Sequence, residues 1–240
     1  MSEAQLAAGA TRVLPVDAVL FDLDGTLADT APDLAAALNR VRQERGLEAV
    51  PAARLRSSAS HGARGLLRTG MDITSEHPDY EALREAFLRH YEAALCIDTV
   101  LFEEVHDLLD AIEARSLKWG IVTNKATRFT TPLLVLLGLS SRPGVVICSD
   151  TTPYAKPHPA PLLAAAASLG VAPERCVYVG DAERDVTAGV AAGMLTIVAR
   201  YGYIEPHEAP DTWPADGFID RPSGLLRWLP GEIARSRASA

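Results

Sequence analysis

An apolar run, Ala18-Val19-Leu20-Phe21, stops abruptly at Asp22-Leu23-Asp24-Gly25-Thr26-Leu27. Consecutive apolar residues of this length read as a strand buried on both faces. Strand side chains repeat every two residues, so Asp22 and Asp24 are expected to leave its end pointing roughly the same way. Gly25 allows an immediate turn without a Cβ penalty. Two acids at the carboxyl end of a buried strand are costly to hold ionised unless a cation or a proton intervenes. Such a pair divides naturally into a nucleophile that also ligates metal and a second acid that carries a proton.

The rest of the chain repeats the opening rhythm. Segments 17–21, 118–123, 144–148, 176–179 and 195–199 read as strands, with a weaker sixth at 217–220. Helical patterns lie between them. Val105, Leu108, Leu109 and Ile112 recur at helical spacing, with Glu103 and Glu104 expected in the first turn. Gly170 and Gly193 are placed to end helices over 161–169 and 183–192. Pro132 predicts that a helix within 126–138 starts near Thr131 or has irregular first turns. Alternating strand and helix predicts an α/β fold, a Rossmann-like doubly wound parallel sheet covered on both faces.

One interval breaks the rhythm. Residues 28–100 carry helix signals and no convincing strand. Pro32 reads as the start of a helix with Leu34, Leu38 and Val41 on one face, ending near Gly46. A short helix is expected over 63–69, and a longer one carries Tyr80, Leu83, Phe87, Tyr91 and Leu95. We expect a helical cap over 28–100, inserted after the first strand, with 1–27 and 101–240 forming the catalytic core. Such a lid would sit above the carboxyl ends of the strands, where open α/β sheets bind ligands.

Composition narrows the class of protein. A length of 240 residues accommodates a core domain plus a smaller appendage. The net charge of −8 argues against nucleic-acid or anionic-membrane partners. No apolar stretch approaches the length of a membrane span. The first eleven residues lack the basic start and apolar core of a secretory signal. Cys96, Cys148 and Cys176 form no CxxC pair and suit a reducing compartment. The expectation is a cytoplasmic monomer or homodimer acting on a small molecule, with a short disordered tail after Arg235.

Further chemistry sits at the other strand ends. Val122-Thr123-Asn124-Lys125 follows the second strand, and Tyr154-Ala155-Lys156-Pro157-His158-Pro159 follows the third. Gly180-Asp181-Ala182-Glu183-Arg184-Asp185 follows the fourth. Alone, each has a plainer reading: Thr123, Asn124 and Asp181 as helix caps, Lys156 as a loop lysine, Asp185 as a first-turn acid. Together with Asp22 and Asp24, in this order and strand context, they resemble the haloacid dehalogenase-like superfamily in its aspartate-based phosphatase branch.

That resemblance implies roles. Asp22 would attack phosphorus and form an aspartyl-phosphate, and Asp24 would protonate the leaving oxygen, then take a proton from water. Asp22 and Asp181, with the backbone carbonyl of Asp24, would hold Mg²⁺, a hard ion that prefers oxygen. Lys156 would add positive charge beside the phosphoryl group, and Thr123 a hydroxyl donor. Asp185 would orient Lys156 or metal-bound water, with Asn124 in a supporting position. Asp29 is read as either a hinge residue or a neighbour of the metal.

Haloacid dehalogenases lack an acid two residues after the nucleophile, so Asp24 points away from carbon–halogen chemistry. Asp29-Thr30-Ala31-Pro32-Asp33-Leu34, Lys156-Pro157-His158-Pro159 and Tyr201-Gly202-Tyr203 resemble the phosphoglycolate phosphatase group. Ser60-His61-Gly62-Ala63-Arg64-Gly65, Trp119-Gly120-Ile121, Arg128-Phe129 and Trp213-Pro214-Ala215-Asp216 are more similar to the N-acetylmuramic acid 6-phosphate phosphatases of cell-wall sugar recycling. Both substrates are phosphomonoesters bearing a carboxylate. Arg64 is the expected partner for that second anion, with His61 and Lys125 as further substrate contacts. Arg84, Arg89 and His90 read as the wet face of the long cap helix. A β-phosphoglucomutase-like phosphotransferase and a non-catalytic binding protein are the alternatives.

Overall fold

The computed structural model describes residues 15–231, so the expectations for the first eleven residues and for the tail after Arg235 lie outside the described residues. Strand β1 (Ala18–Phe21) is fully buried, and its alternate side chains enter different cores. Val19 and Phe21 join one cluster, while Ala18 and Leu20 join another on the opposite face. A strand apolar on both sides belongs inside a sheet flanked by two layers. That is the arrangement found. After β1 come β2 (Ala28–Asp29), α1 (Ala31–Glu44), α2 (Ala52–Leu55), α3 (Gly62–Met71) and α4 (Tyr80–Ala93). Then follow β3 (Val100–Leu101), α5 (Val105–Ala114), β4 (Lys118–Val122), α6 (Thr127–Leu136), β5 (Val145–Ile147) and α7 (Ala160–Leu169). The last elements are β6 (Cys176–Gly180), α8 (Glu183–Ala191), β7 (Leu195–Ala199) and β8 (Gly217–Ile219).

Six strands form one sheet in the order β5-β4-β1-β6-β7-β8, and every neighbouring pair is parallel. Helix α5 covers one face through Val105, Leu108, Leu109 and Ile112, and α7 covers the other through Leu162, Ala165, Ala166 and Leu169. The chain winds outward from β1 through β4 to β5, then returns to β6 on the other side of β1. Crossovers therefore change direction beside β1, which opens a crevice at the carboxyl ends of β1, β4 and β6.

Helices α1 to α4 build a separate apolar cluster around Leu34, Leu38, Leu55, Leu66, Leu67 and Phe87. Phe129 and Tyr203, from the sheet-bearing part of the chain, join that cluster and tie the insert down. Its two connections are not strand-free, contrary to the sequence reading. The short β2 and β3 pair antiparallel, Ala28 with Leu101 and Asp29 with Val100. Two residues are too few to register as a strand pattern. Buried Asp33 completes this junction: it accepts bonds from the backbone nitrogens of Ile97, Asp98 and Thr99 and from the Thr99 hydroxyl.

Two helix starts differ from expectation. Glu104 lies before α5 in the left-handed region, at φ 69°, and accepts the backbone N–H of Ser223, so the first-turn acid of α5 is Asp107. Helix α6 begins at Thr127 despite Pro132. Asp150 caps it, accepting from the nitrogen and hydroxyl of Thr127. Pro132 removes one internal hydrogen bond on an exposed side, where water can replace it.

Candidate active site

Asp22, Thr123 and Asp181 each follow the last residue of one of three adjacent strands, β1, β4 and β6. Asp22 continues the ladder, its N–H donating to the Val179 carbonyl at 2.9 Å. Carboxylate oxygens of Asp22, Asp181 and Asp185 lie within 4.8 Å of one another, all three buried. Gly25 and Gly202 make this approach possible. A Cβ on Gly25, at φ +80°, would meet Asp181 Oδ2 at 2.1 Å, and one on Gly202 would meet Asp181 Cβ at 2.3 Å.

Lys156 lies behind Asp22, fully buried. Its ammonium is 2.9 Å from Asp22 Oδ1, 2.8 Å from Asp185 Oδ1, 2.8 Å from the Tyr178 hydroxyl and 2.9 Å from the Val122 carbonyl. Such saturation fixes Lys156 as a counter-charge that orients Asp22. Asp185 also accepts from the Ala182 nitrogen and the Tyr178 hydroxyl, which leaves it serving Lys156. Asn124 supports the same loop, giving its amide N–H to the Lys156 carbonyl and accepting the Lys156 N–H. Asp22 Oδ2 takes no part in these bonds, and Asp22 lines the central cavity.

The electrostatics follow from burial. Asp22 is pushed above the usual carboxylate range by desolvation, partly countered by Lys156. Asp185 is held below it, because Lys156 and Arg184 outweigh the cost of burial. Asp181 is pushed up to about 8 by burial and by the charges of Asp185 and Asp22. Its Oδ2 accepts the Tyr203 N–H at 2.7 Å, while its buried Oδ1 has no hydrogen-bond partner among the described residues. A buried, unpartnered carboxylate oxygen within a cluster of carboxylates suits a cation.

Asp24 is held differently. Its Oδ1 accepts from Thr30 at 2.5 Å and lies 3.1 Å from the Lys125 ammonium. Lys125 in turn donates to the Tyr91 hydroxyl at 3.1 Å, and Asp24 with Tyr91 raises its proton affinity against the cost of burial. Thr123 Oγ1 accepts the Lys125 N–H, so its own proton remains available to the cavity it lines. Asp29 lies at the junction with the insert, in the β2–β3 pair. Both its oxygens lie within 2.8 Å of an Arg56 nitrogen, and it accepts the Tyr203 hydroxyl at 2.7 Å. Tyr203 thus links that junction, through its hydroxyl, to Asp181, through its backbone N–H.

Above these groups a cavity of about 570 Å³ extends toward the insert. His61, Arg64 and Lys125 line it. Burial and the charge of Arg184 lower the proton affinity of His61. Arg84 also lines it, although the sequence assigned that residue to the wet face. Arg84 does both, being half-exposed beside Glu81. Sequence reasoning missed Tyr178, Tyr203 and Arg184. Tyr178 lies inside an apolar strand segment with nothing local to mark it, and Tyr203 stood in the quoted Tyr201-Gly202-Tyr203 motif without an assigned role. Arg184 stood inside the quoted motif between Asp181 and Asp185; here it donates to Ser60 of the insert at 3.0 Å.

Comparison with known proteins agrees with this geometry. Residues 19–199 match the family model described as haloacid dehalogenase-like hydrolase. The chain is 41% identical over 209 residues to the N-acetylmuramic acid 6-phosphate phosphatase of Pseudomonas aeruginosa, covering 87% of this chain and 92% of that one. It is 44% identical over 216 residues to the phosphoglycolate phosphatase of Xanthomonas campestris pv. campestris, covering 89% and 95%. A crystal structure titled a predicted phosphoglycolate phosphatase from Haemophilus somnus superposes with a TM-score of 0.78 at 25% identity, over 89% of this chain and 97% of that one. With the sheet order, the buried acids and these matches in agreement, the chain belongs to the haloacid dehalogenase-like hydrolases.

Proposed function

We propose that this chain is a Mg²⁺-dependent phosphomonoester hydrolase that works through an aspartyl-phosphate on Asp22. One observation carries the reading: Asp22 and Asp181 bring buried carboxylate oxygens within 4.8 Å of each other, beside a lysine that orients Asp22, and Asp181 keeps a buried oxygen unpartnered among the described residues. Mg²⁺ fits this all-oxygen set, with Asp22, Asp181 and the Asp24 carbonyl as its protein ligands. Once bound it would neutralise charge on the phosphoryl oxygens.

The chain's own residues supply the remaining chemistry. Asp22, with Oδ1 held by Lys156 and the Leu23 N–H, attacks phosphorus through its free oxygen. The ester P–O bond breaks as the new O–P bond forms, and the leaving oxygen takes a proton from Asp24. Water then attacks the acyl-phosphate and gives its proton to Asp24, restoring the Asp22 carboxylate and releasing inorganic phosphate. Thr30 and Lys125 fix the direction of Asp24 for both transfers. Thr123 donates to a phosphoryl oxygen.

The substrate we favour is N-acetylmuramic acid 6-phosphate. The cavity offers more room than a two-carbon acid fills, and Tyr80, Phe87 and Leu88 give it an apolar wall. The relatives named phosphoglycolate phosphatase, equally similar in sequence, support 2-phosphoglycolate as the second reading. A free-phosphate assay with both compounds, with and without Mg²⁺, tests the proposal. We expect metal-dependent release with the sugar acid turned over more efficiently. Equal, poor turnover of both compounds would remove the preference. Phosphate moved between sugar hydroxyls instead of released would favour a mutase.

A further inference from the structure

Five arginines and one lysine line the cavity: Arg64, Arg68, Arg84, Arg128, Arg184 and Lys125. Three face acids of the protein itself. Arg68 is 3.2 Å from Glu205, Arg84 3.6 Å from Glu81 and Lys125 3.1 Å from Asp24. Arg184 lies in the field of Asp185, Asp22 and Asp181, which places it at the phosphate end. Arg64 and Arg128 remain, and neither has a carboxylate within 4.0 Å among the described residues.

Arg128 is the more informative of the two. It lies in the first turn of α6, where a cation opposes the helix dipole and where Asp150 already caps the free N–H of Thr127. Helix chemistry therefore gives no reason for an arginine there. Its guanidinium carbon sits 4.4 Å from the centre of the Phe129 ring. Phe129 is buried and packs against Tyr91 with ring centres 5.6 Å apart, so this platform is rigid. A guanidinium stacked on a ring keeps its in-plane N–H groups free, and their fork matches a carboxylate.

We propose that Arg128, on the sheet-bearing part of the chain, and Arg64, on the insert, together grip a carboxylate at the far end of the substrate. The inference rests on the phosphatase reading and deepens it. The substrate class becomes a phosphomonoester whose acid group lies well away from phosphorus, on a frame whose carbon substituents rest against Phe87, Leu88 and Phe129. Because the two arginines belong to different parts of the molecule, a substrate lacking the acid loses the contact that holds the insert over it.

N-acetylmuramate 6-phosphate and N-acetylglucosamine 6-phosphate differ by one carboxylate-bearing ether, so their kcat/KM ratio reads the clamp directly. We expect wild type to favour the acid and Arg128→Gln to shrink that ratio about 10- to 100-fold, the range for hydrogen bonds to a charged group. A proportional fall on both esters, or no wild-type preference for the acid, overturns the clamp and leaves the phosphatase reading standing. Turnover confined to small esters such as 2-phosphoglycolate, whose acid lies next to the phosphate, would also overturn the clamp while leaving the phosphatase reading standing. Binding of the acid to Asp22→Asn protein by calorimetry needs no turnover. Weaker binding on adding Arg128→Gln supports the clamp even if no phosphate is released, and unchanged binding overturns it.

Discussion

The two ends of the cavity are built on opposite principles. At the sheet end, Asp22, Lys156, Asp181 and Asp185 are at most 3% exposed; Asp22, Lys156 and Asp185 are fixed by several partners, and Asp181 accepts the Tyr203 backbone N–H. At the insert end, Arg64, Arg84 and Arg128 are exposed, and of the three only Arg84 has a carboxylate within 4.0 Å among the described residues. A buried ion whose partner is lost costs several kcal/mol, so the sheet end tolerates little change. Exposed cations cost little to alter. The sheet end is thus rigidly held, while the far end of the cavity is lined by side chains the fold does not depend on.

Changes at each end should separate accordingly. Asp22→Asn removes the nucleophile and should lower kcat by about 10⁴-fold or more, with circular dichroism unchanged; retained turnover would end the mechanism. Lys156→Met strands Asp22 and Asp185 in a buried site and should cost about 3–5 kcal/mol in urea denaturation. If the variant keeps wild-type stability, the sheet end is less tightly coupled than its contacts imply.

A third effect concerns pH. Asp181 has a folded pKa of about 8 against an ordinary 3.8, so in metal-free protein it holds a proton that the unfolded chain has already lost. Its contribution to stability is full below about pH 4 and is lost as pH rises through 8. Metal-free protein should therefore melt at lower temperature at pH 8.5 than at pH 6, and Mg²⁺ should reduce that loss by favouring the ionised acid. An identical slope with and without Mg²⁺ would contradict the cation site. The smallest effect belongs to the insert end: Arg64→Ala should raise KM severalfold with less change in kcat, as expected for loss of uniform binding.

Several parts of this architecture were legible without coordinates because they depend on short-range pattern. The strands at 18–21, 118–122 and 195–199 are apolar runs, and the apolar faces of α1 and α4 repeat at helical spacing. Asp22, Thr123 and Asp181 could be read from their positions at strand ends. Other features left no local trace. The β2–β3 pair joins residues some seventy positions apart over only two residues each. Tyr178 looks like any core aromatic in a strand, yet its hydroxyl links Lys156 to Asp185. Glu104 satisfied the pattern of a first-turn acid, but a distant backbone N–H at Ser223 drew it outside the helix.

The order of residues alone therefore determined a parallel α/β sheet and which acids stand at its strand ends, since period and turn chemistry act over a few neighbours. Folding in three dimensions decided what those acids meet. Lys156 became a buried counter-charge behind Asp22, Asp29 met Arg56 and Tyr203 at the junction with the insert, and Arg128 came to lie over an aromatic ring with no carboxylate within 4.0 Å among the described residues. Charge pairing depends on distances between remote segments, and only the packed chain fixes those distances.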